Sequence, residues 1–398
     1  MSQVPPPPLL PSQQPVTEQP GSEDSILQPR RIWKLLLTIQ TILFLAHWFL
    51  YETWMAFHPS LQPATQSILR IVFPCAAFSF VIASLLAWRS FNWLVRAFYV
   101  PAAVWIGCMA FFLFAAVSSW IVFGLVRLAN LQIPPNLIAD GLFGAALVVA
   151  LCGLANAARV RVHRITVRLP NLPEQWQGRV AALVSDLHLG HVHNFRFLRR
   201  IVARLNQLRP EVVFITGDMY DGTFVDVDAM AQPWLALSVP RGAFFVTGNH
   251  EEFTNREKYL RAVDGAHVRV LNNEKLDLDG LQIIGVHWRE TTHPAQFRAI
   301  LRSVGIESAK PSVLLVHAPH NLAIAAEAGI SLQVCGHTHG GQFPPGTWVA
   351  SRIYGRYVHG LNPLGSLLVF TSWGAGTWGP PFRVGTQPEI VVITFEAA

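Results

Sequence analysis

The chain has 398 residues, enough for two or three domains. Its hydrophobic share of 51% and charged share of 14% depart from the ordinary soluble balance, in which about a quarter of residues are charged. The formal net charge of +6 is carried by dispersed Lys and Arg with no long basic block, so no nucleic-acid partner is expected.

Most of the apolar excess lies between Trp33 and Ala157. Before it, residues 1–29 are rich in Pro, Gln and Ser, including the run Pro5 to Pro8. With so little apolar surface this tail cannot offset the entropy of ordering and reads as disordered. Residues 30–160 form a candidate transmembrane region of about four helices, at Ile32 to Tyr51, Ile71 to Trp88, Ala97 to Val126 and about Leu142 to Ala158. Crossing a bilayer takes about 20 mostly apolar residues. Arg30, Arg31 and Lys34 precede the first span, Arg89 and Arg96 separate the second and third, and Arg159, Arg161, Arg164 and Arg168 follow the fourth. The positive-inside tendency then puts both termini, and everything after the fourth span, in the cytoplasm. Asp140 and His47 are nearly the only ionisable groups within or beside the spans, which argues against a transporter.

Residues 161–177 read as a linker, and residues 178–398 as a separate domain. Short apolar runs predict strands at Val180 to Val184, Val212 to Thr216, Ala243 to Thr247, Gln282 to Val286, Val313 to Val316 and Leu332 to Cys335. Helical patterns fall at Phe195 to Leu208, Arg256 to Val263, Pro294 to Ser303 and Asn321 to Ala328, and two further runs, Ser366 to Thr371 and Ile390 to Phe395, suggest added strands. Continuous apolar strands separated by helices indicate a layered α/β domain.

Each candidate ligand closes one of these runs: Asp186 and His188, then Asp218, then Asn249 and His250, then His317, then His337 and His339. In an α/β sheet the carboxyl ends of the strands are where ligands collect. Mixed imidazole and carboxylate donors suit Mn, Fe or Zn better than Ca or Mg. Two such ions about 3.5–4 Å apart hold a bridging hydroxide and clamp a phosphoryl oxygen during in-line displacement. Cys75, Cys108 and Cys152 lie in apolar segments, Cys335 lies in a predicted strand, and there is no Cys-x-x-Cys. Neither a thiolate zinc site nor a disulfide framework is indicated.

The order Asp-x-His, Gly-Asp, Gly-Asn-His-Glu, a lone His, then Gly-His-x-His resembles the calcineurin-like metallophosphoesterases, over about Val180 to Phe395. Gly340-Gly341-Gln342 and the Gly374 to Gly385 segment with Pro380-Pro381 look like its small bacterial, membrane-associated branch. The resemblance implies two packed sheets flanked by helices and two divalent or mixed-valence ions. It implies Asp186, His188 and His339 on one metal, Asn249, His317 and His337 on the other, Asp218 bridging, and His250 beside the substrate phosphate. The implied activity is hydrolysis of a phosphodiester or pyrophosphate bond of a phosphorylated small molecule or lipid-linked substrate. The implied location is the cytoplasmic face of a bacterial inner membrane. A phosphomonoesterase or phosphoprotein phosphatase is the alternative within enzymes, and a non-catalytic membrane sensor or scaffold is the alternative outside them. Glu251 is expected to be structural, and His191 and His193 are expected in a surface loop. His287-Trp288 and His320 depart from the branch, which favours acidic residues at these places, and this puts substrate preference in question.

Overall fold

The computed structural model describes residues 29–252 and 256–398. Apart from Pro29, the tail expected to be disordered lies outside the described residues.

Among the described residues four helices come first: α1 (Pro29–Phe57), α2 (Pro63–Arg89), α3 (Trp93–Leu128) and α4 (Pro135–Ala157). All four are long and apolar enough to cross a membrane. Pro63 and Pro135 open α2 and α4, where the missing N–H costs no helical bond. The Asn92 side chain caps α3 by accepting from Val95 N at 2.9 Å. Buried positions in the bundle are largely small, with Ala77, Ala83, Ala87, Ala103, Ala116 and Ala139 fully covered. Where lipid and side chain are equally apolar, close backbone approach rather than hydrophobicity holds helices together.

The remaining chain builds two six-stranded sheets. Its strands are β1 (Arg161–Leu169), β2 (Val180–Val184), β3 (Val212–Thr216), β4 (Ala243–Val246), β5 (Arg269–Val270), β6 (Glu274–Leu278), β7 (Leu281–Gly285), β8 (Ser312–Leu315), β9 (Leu332–Cys335), β10 (Gly360–Leu364), β11 (Leu367–Thr371) and β12 (Glu389–Ala397). One sheet has the order β1-β12-β2-β3-β4-β5 and the other β10-β11-β9-β8-β7-β6. Strands β2 to β5 pair in parallel, as do β7, β8, β9 and β11. The helices are α5 (Phe195–Leu208), α6 (Val227–Ala231), α7 (Arg256–Gly265), α8 (Trp288–Thr291), α9 (Pro294–Ser303), α10 (Leu322–Glu327) and α11 (Gly346–Tyr354).

Three apolar layers follow from this order. Leu183, Phe214, Val246, Ile283, Leu315, Val334 and Ile393 from both sheets meet in the central layer. On the outer face of the first sheet, α5 buries Phe197, Leu198, Ile201, Val202 and Leu205. That spacing is one stripe of a 3.6-residue helix. Phe297 and Leu301 of α9 and Ile324 of α10 cover the outer face of the second sheet. Strands buried on both faces must be apolar throughout, and β3 is buried at every position.

The linker expected over residues 161–177 is a correction. Its first part is the edge strand β1, paired in parallel with β12 from Arg161 to Leu169, and Glu174–Trp176 is a 3-10 turn. Ile165, Val167 and Leu169 alternate toward the central layer, but Arg161, Arg164 and Arg168 of the same strand read as a charged membrane flank.

The domain is clasped to the bundle at two places. At the first, the α2–α3 turn meets the loop after β2. Arg96 Nε donates to His191 O at 2.8 Å, and His191 Nε2 lies 3.2 Å from Ser90 O. At the second, Asn156 Nδ2 near the end of α4 donates to Arg383 O at 2.8 Å and Thr386 O at 2.9 Å, while Arg383 N donates to Gly153 O at 3.1 Å. The adjoining Phe382 ring is fully buried between α3 and α4. A Cβ on Gly107 would fall 2.3 Å from that ring, and one on Gly153 would fall 2.7 Å from Val384 Cγ2. Two side-chain-free positions thus form the socket.

Candidate metal centre

Loops leaving the carboxyl ends of β2, β3 and β4 in one sheet and β8 and β9 in the other converge on one cleft. All eight residues singled out from the sequence lie there. Asp218 Oδ2 is at its middle, 3.2 Å from His317 Nε2, 3.7 Å from His188 Nε2 and 3.9 Å from His250 Nε2. On one side, His339 Nε2 is 2.9 Å from His188 Nε2 and 3.5 Å from Asp186 Oδ1. On the other, His317 Nε2 is 3.1 Å from His337 Nδ1 and 3.2 Å from Asn249 Oδ1.

These donors fit a pair of cations. Asp186, His188 and His339 form one group of close ligand atoms, and Asp218, His317 and His337 form another. Burial, reinforced by neighbouring charge, holds His188 and His339 well below the usual imidazole range, and His337 down to about 3. Neutral imidazoles offer lone pairs, and two lone pairs about 3 Å apart repel unless a proton or a cation lies between them. His317 is the exception: burial lowers it, but Asp218 more than reverses this and raises it to about 9. His317 Nδ1 donates to Thr216 O at 2.7 Å. That bond aims the opposite ring nitrogen into the cleft, as an orienting partner does for a metal-binding imidazole. Burial, then the nearby Asp218, pushes Asp186 up to about 6 despite His317. Asp218 itself stays well below the carboxylate range because the histidines outweigh its burial.

The backbone is bent to achieve this. Asp186, His188, Asp218, His337 and His339 have φ of 53°, 47°, 49°, 70° and 48°. Each left-handed non-glycine residue costs about 1–3 kcal/mol relative to ordinary backbone. Gly336 allows the close approach of the last loop to the first, since a Cβ there would fall 2.1 Å from Asp186 Oδ2.

Residues behind the ligands hold them in place. Glu251 is structural, as expected: its buried carboxylate accepts from Gly248 N at 2.7 Å, Asp218 N at 3.0 Å and Tyr220 N at 3.2 Å. Arg383, which the sequence reading did not single out, is fully buried. It donates to His339 O at 2.8 Å, Trp373 O at 2.7 Å and Gly376 O at 2.6 Å. Its only signal was a lone cation in the Gly-rich Trp373 to Gly385 segment. His250 Nδ1 donates to Asp221 O at 2.9 Å, and Trp378 packs against its ring edge-on at 5.8 Å. The Trp378 backbone is fastened at both N and O by the Gln342 amide.

His191 is buried at the junction with the bundle rather than in a surface loop, because its ring and carbonyl both bond to the α2–α3 region. His193 Nε2 is 2.9 Å from Thr377 Oγ1. Trp288 lies 4.9 Å from the His337 ring and 5.4 Å from that of His320, which in turn stacks on Tyr354 at 6.1 Å. Trp288 and His320 therefore form an aromatic rim with Tyr354 beside His337, whereas His287 is fully buried and accepts from Thr247 N at 3.0 Å.

Residues 180–341 match the family profile described as calcineurin-like phosphoesterase, a span that includes all eight cleft residues just described. The chain carries a calcineurin-like phosphoesterase domain. Among relatives, a transmembrane protein with metallophosphoesterase domain from Danio rerio is 30% identical over 268 residues, covering 63% of this chain and 61% of the relative. An uncharacterized metallophosphoesterase of Helicobacter pylori is 30% identical over 243 residues, covering 59% and 64% respectively. The chain thus spans less than two thirds of either relative's length. A solved dimetal phosphatase from Danio rerio superposes with a TM-score of 0.34 at 13% identity, covering 55% of this chain and 99% of that one. The phosphoesterase domain follows four membrane-capable helices, which mark the chain as a membrane protein.

Proposed function

We propose that the chain is a membrane-anchored dimetal phosphoesterase that hydrolyses phosphodiester or pyrophosphate bonds of lipid-linked substrates at the cytoplasmic face. The observation that carries this reading is the position of Asp218 Oδ2 between two ligand groups, one anionic oxygen within 4 Å of both His188 and His317. Asp186, His188 and His339 would hold one ion, and Asn249, His317 and His337 the other. Asp218 would bridge them and offset their mutual repulsion. Mn, Fe or Zn suits this donor set. Such ions, when bound, activate a water molecule and neutralise phosphoryl oxygens.

The chain's own residues do the rest. His250, oriented through Nδ1 by Asp221 O, would present Nε2 to the phosphate and protonate the leaving oxygen. Trp378 would shield that proton from solvent from its place against the ring. The aromatic rim of Trp288, His320 and Tyr354 would receive the remainder of the substrate. Support for the cytoplasmic face is that both clasps to the bundle lie beside the basic flanks, at Arg96 and just before Arg159.

The test is a substrate panel on metal-reconstituted full-length protein. Asp218→Asn is expected to lose both turnover and an ion. His250→Asn is expected to keep two ions and to lose turnover about 10²–10⁴-fold, the size of a positioned proton donor. Unchanged turnover in Asp218→Asn sinks the assignment. Monoesters cleaved in preference to diesters would move the reading to a phosphomonoesterase.

A further inference from the structure

We propose that α11 lies in the membrane interface, with Trp348, Val349 and Ile353 embedded among lipid acyl chains, so that the metal cleft opens at the bilayer surface. The helix follows the Gly-His-x-His loop directly. Trp348, Val349 and Ile353 are 62%, 55% and 67% exposed, whereas Ala350 is buried. At 100° per residue the three exposed apolar side chains fall within one sector of about 140°, and Arg352 falls between Trp348 and Val349 in it. An arginine so placed lays its aliphatic stem along the apolar surface and lifts its charge to the headgroups. A short helix with such a face lies in the plane of the interface.

Continuity with the spanning helices decides what covers this face. The Trp348 ring meets the Phe114 ring of α3 edge-on at 5.8 Å, and Phe343, just before α11, packs on Phe111 at 5.8 Å and on Phe382 at 6.1 Å. Phe114 is seven residues beyond Gly107, where Phe382 sits. It is therefore about 10 Å deeper along the helix at 1.5 Å per residue. It belongs to the stretch Ala97 to Val126, which has no Asp, Glu, Lys or Arg. Trp348 thus stands beside a residue inside the span, and its exposed neighbours face the same lipid as α3. Tyr354 at the other end of α11 is 6.2 Å from the His337 ring. If the phosphoesterase reading holds, an amphiphile's phosphate reaches the metals while its tails stay in the bilayer.

The experiment uses full-length protein in vesicles of phosphatidylethanolamine and phosphatidylglycerol containing a biotinylated phospholipid. Benzoylphenylalanine is placed singly at Trp348, Ile353 and, as a control, Glu174. Glu174 is exposed and precedes β2, at the strand ends opposite the cleft. Illumination is expected to give lipid adducts at 348 and 353 and none at 174. Adducts to a second copy of the chain at 348 or 353, or lipid adducts no stronger than at 174, overturn the proposal. A second readout compares a lipid-tailed nitrophenyl phosphodiester in the same vesicles with soluble bis(4-nitrophenyl) phosphate. The double variant Trp348→Ser/Ile353→Ser is expected to lose about tenfold or more on the embedded diester, as local encounter falls, and to keep the soluble rate. Equal loss on both counts against delivery from the membrane. If the unsubstituted chain cleaves neither diester, the phosphoesterase reading fails while the adducts still decide where α11 sits.

Discussion

Glu251→Gln separates a residue that shapes the metal centre from those that line it. The Glu251 carboxylate accepts three backbone N–H groups through two oxygens, with Oε2 serving Asp218 and Gly248 and Oε1 serving Tyr220. A Gln oxygen at the first position keeps two of these bonds in weaker, uncharged form and turns an NH₂ toward Tyr220 N–H. One buried donor is left unpaired, at about 1–3 kcal/mol, and two charge-assisted bonds drop to neutral strength, at about 1 kcal/mol each. Burial, then the charge of Asp218, pushes Glu251 up to about 7. Part of the loss is therefore already present without metal, when the two carboxylates repel. Cations on Asp218 remove that repulsion, so the full value of the carboxylate is realised only in the loaded protein. About 2–3 kcal/mol then separates the two states, which is roughly 30–150-fold in metal affinity. Loss of a partner behind a metal ligand typically costs 10–100-fold, an overlapping range reached independently. The assay is the thermal shift of detergent-solubilised protein on titration with Mn or Zn, together with metal content after dialysis against buffered ions. A Glu251→Gln protein that binds metal as tightly as the unsubstituted chain would refute the reasoning.

Acid stability should respond to Glu389. Burial raises its pKa, but hydrogen bonds from His163 and His359 more than reverse this and hold it at about 2, against an ordinary 4.5. Because the folded value is the lower one, its stabilisation, about 3 kcal/mol, is complete above pH 4.5 and is lost as pH falls from there to 2. Glu389→Gln should flatten that acid limb in denaturation measured across pH, and an unchanged limb would count against the network. Gly153→Leu should force Phe382 and Val384 out of their socket, at about 1–3 kcal/mol for overpacking. Gly144→Leu, at a position where an added Cβ would meet nothing within 4 Å, serves as the neutral control in the same denaturant titration, and equal behaviour of the two would remove the socket.

The cluster of candidate ligands was legible because each of these residues follows a short apolar run, and in parallel sheets such runs end at one edge. Strands β2, β3 and β9 and helices α5 and α9 coincide with their predicted spans for the same reason, since burial on both faces or on one stripe writes itself into hydropathy. What escaped was written in a different code. Strand β1 alternates correctly but carries arginines on its exposed face, which resemble a membrane flank. Helix α11 is only nine residues long, and its apolar positions face outward, so no inward stripe marked it. His191 and Arg383 act through contacts with distant segments, at Ser90 and Arg96 for the one and at His339 for the other. Nothing in their local sequence names those partners.

The left-handed backbone at five of the eight cleft residues has a consequence for how loss of function should be interpreted. Ordinarily an inactivating substitution is suspected of having damaged the fold. Here glycine in place of His188 or His339 would relax a conformation that L-residues adopt unwillingly, at the same time as it deletes a candidate ligand. The fold and the centre therefore pull in opposite directions at these positions. A chain stripped of its ligands in this way should be the hardier protein, and inactivity with raised stability would be the signature of residues kept for their chemistry alone.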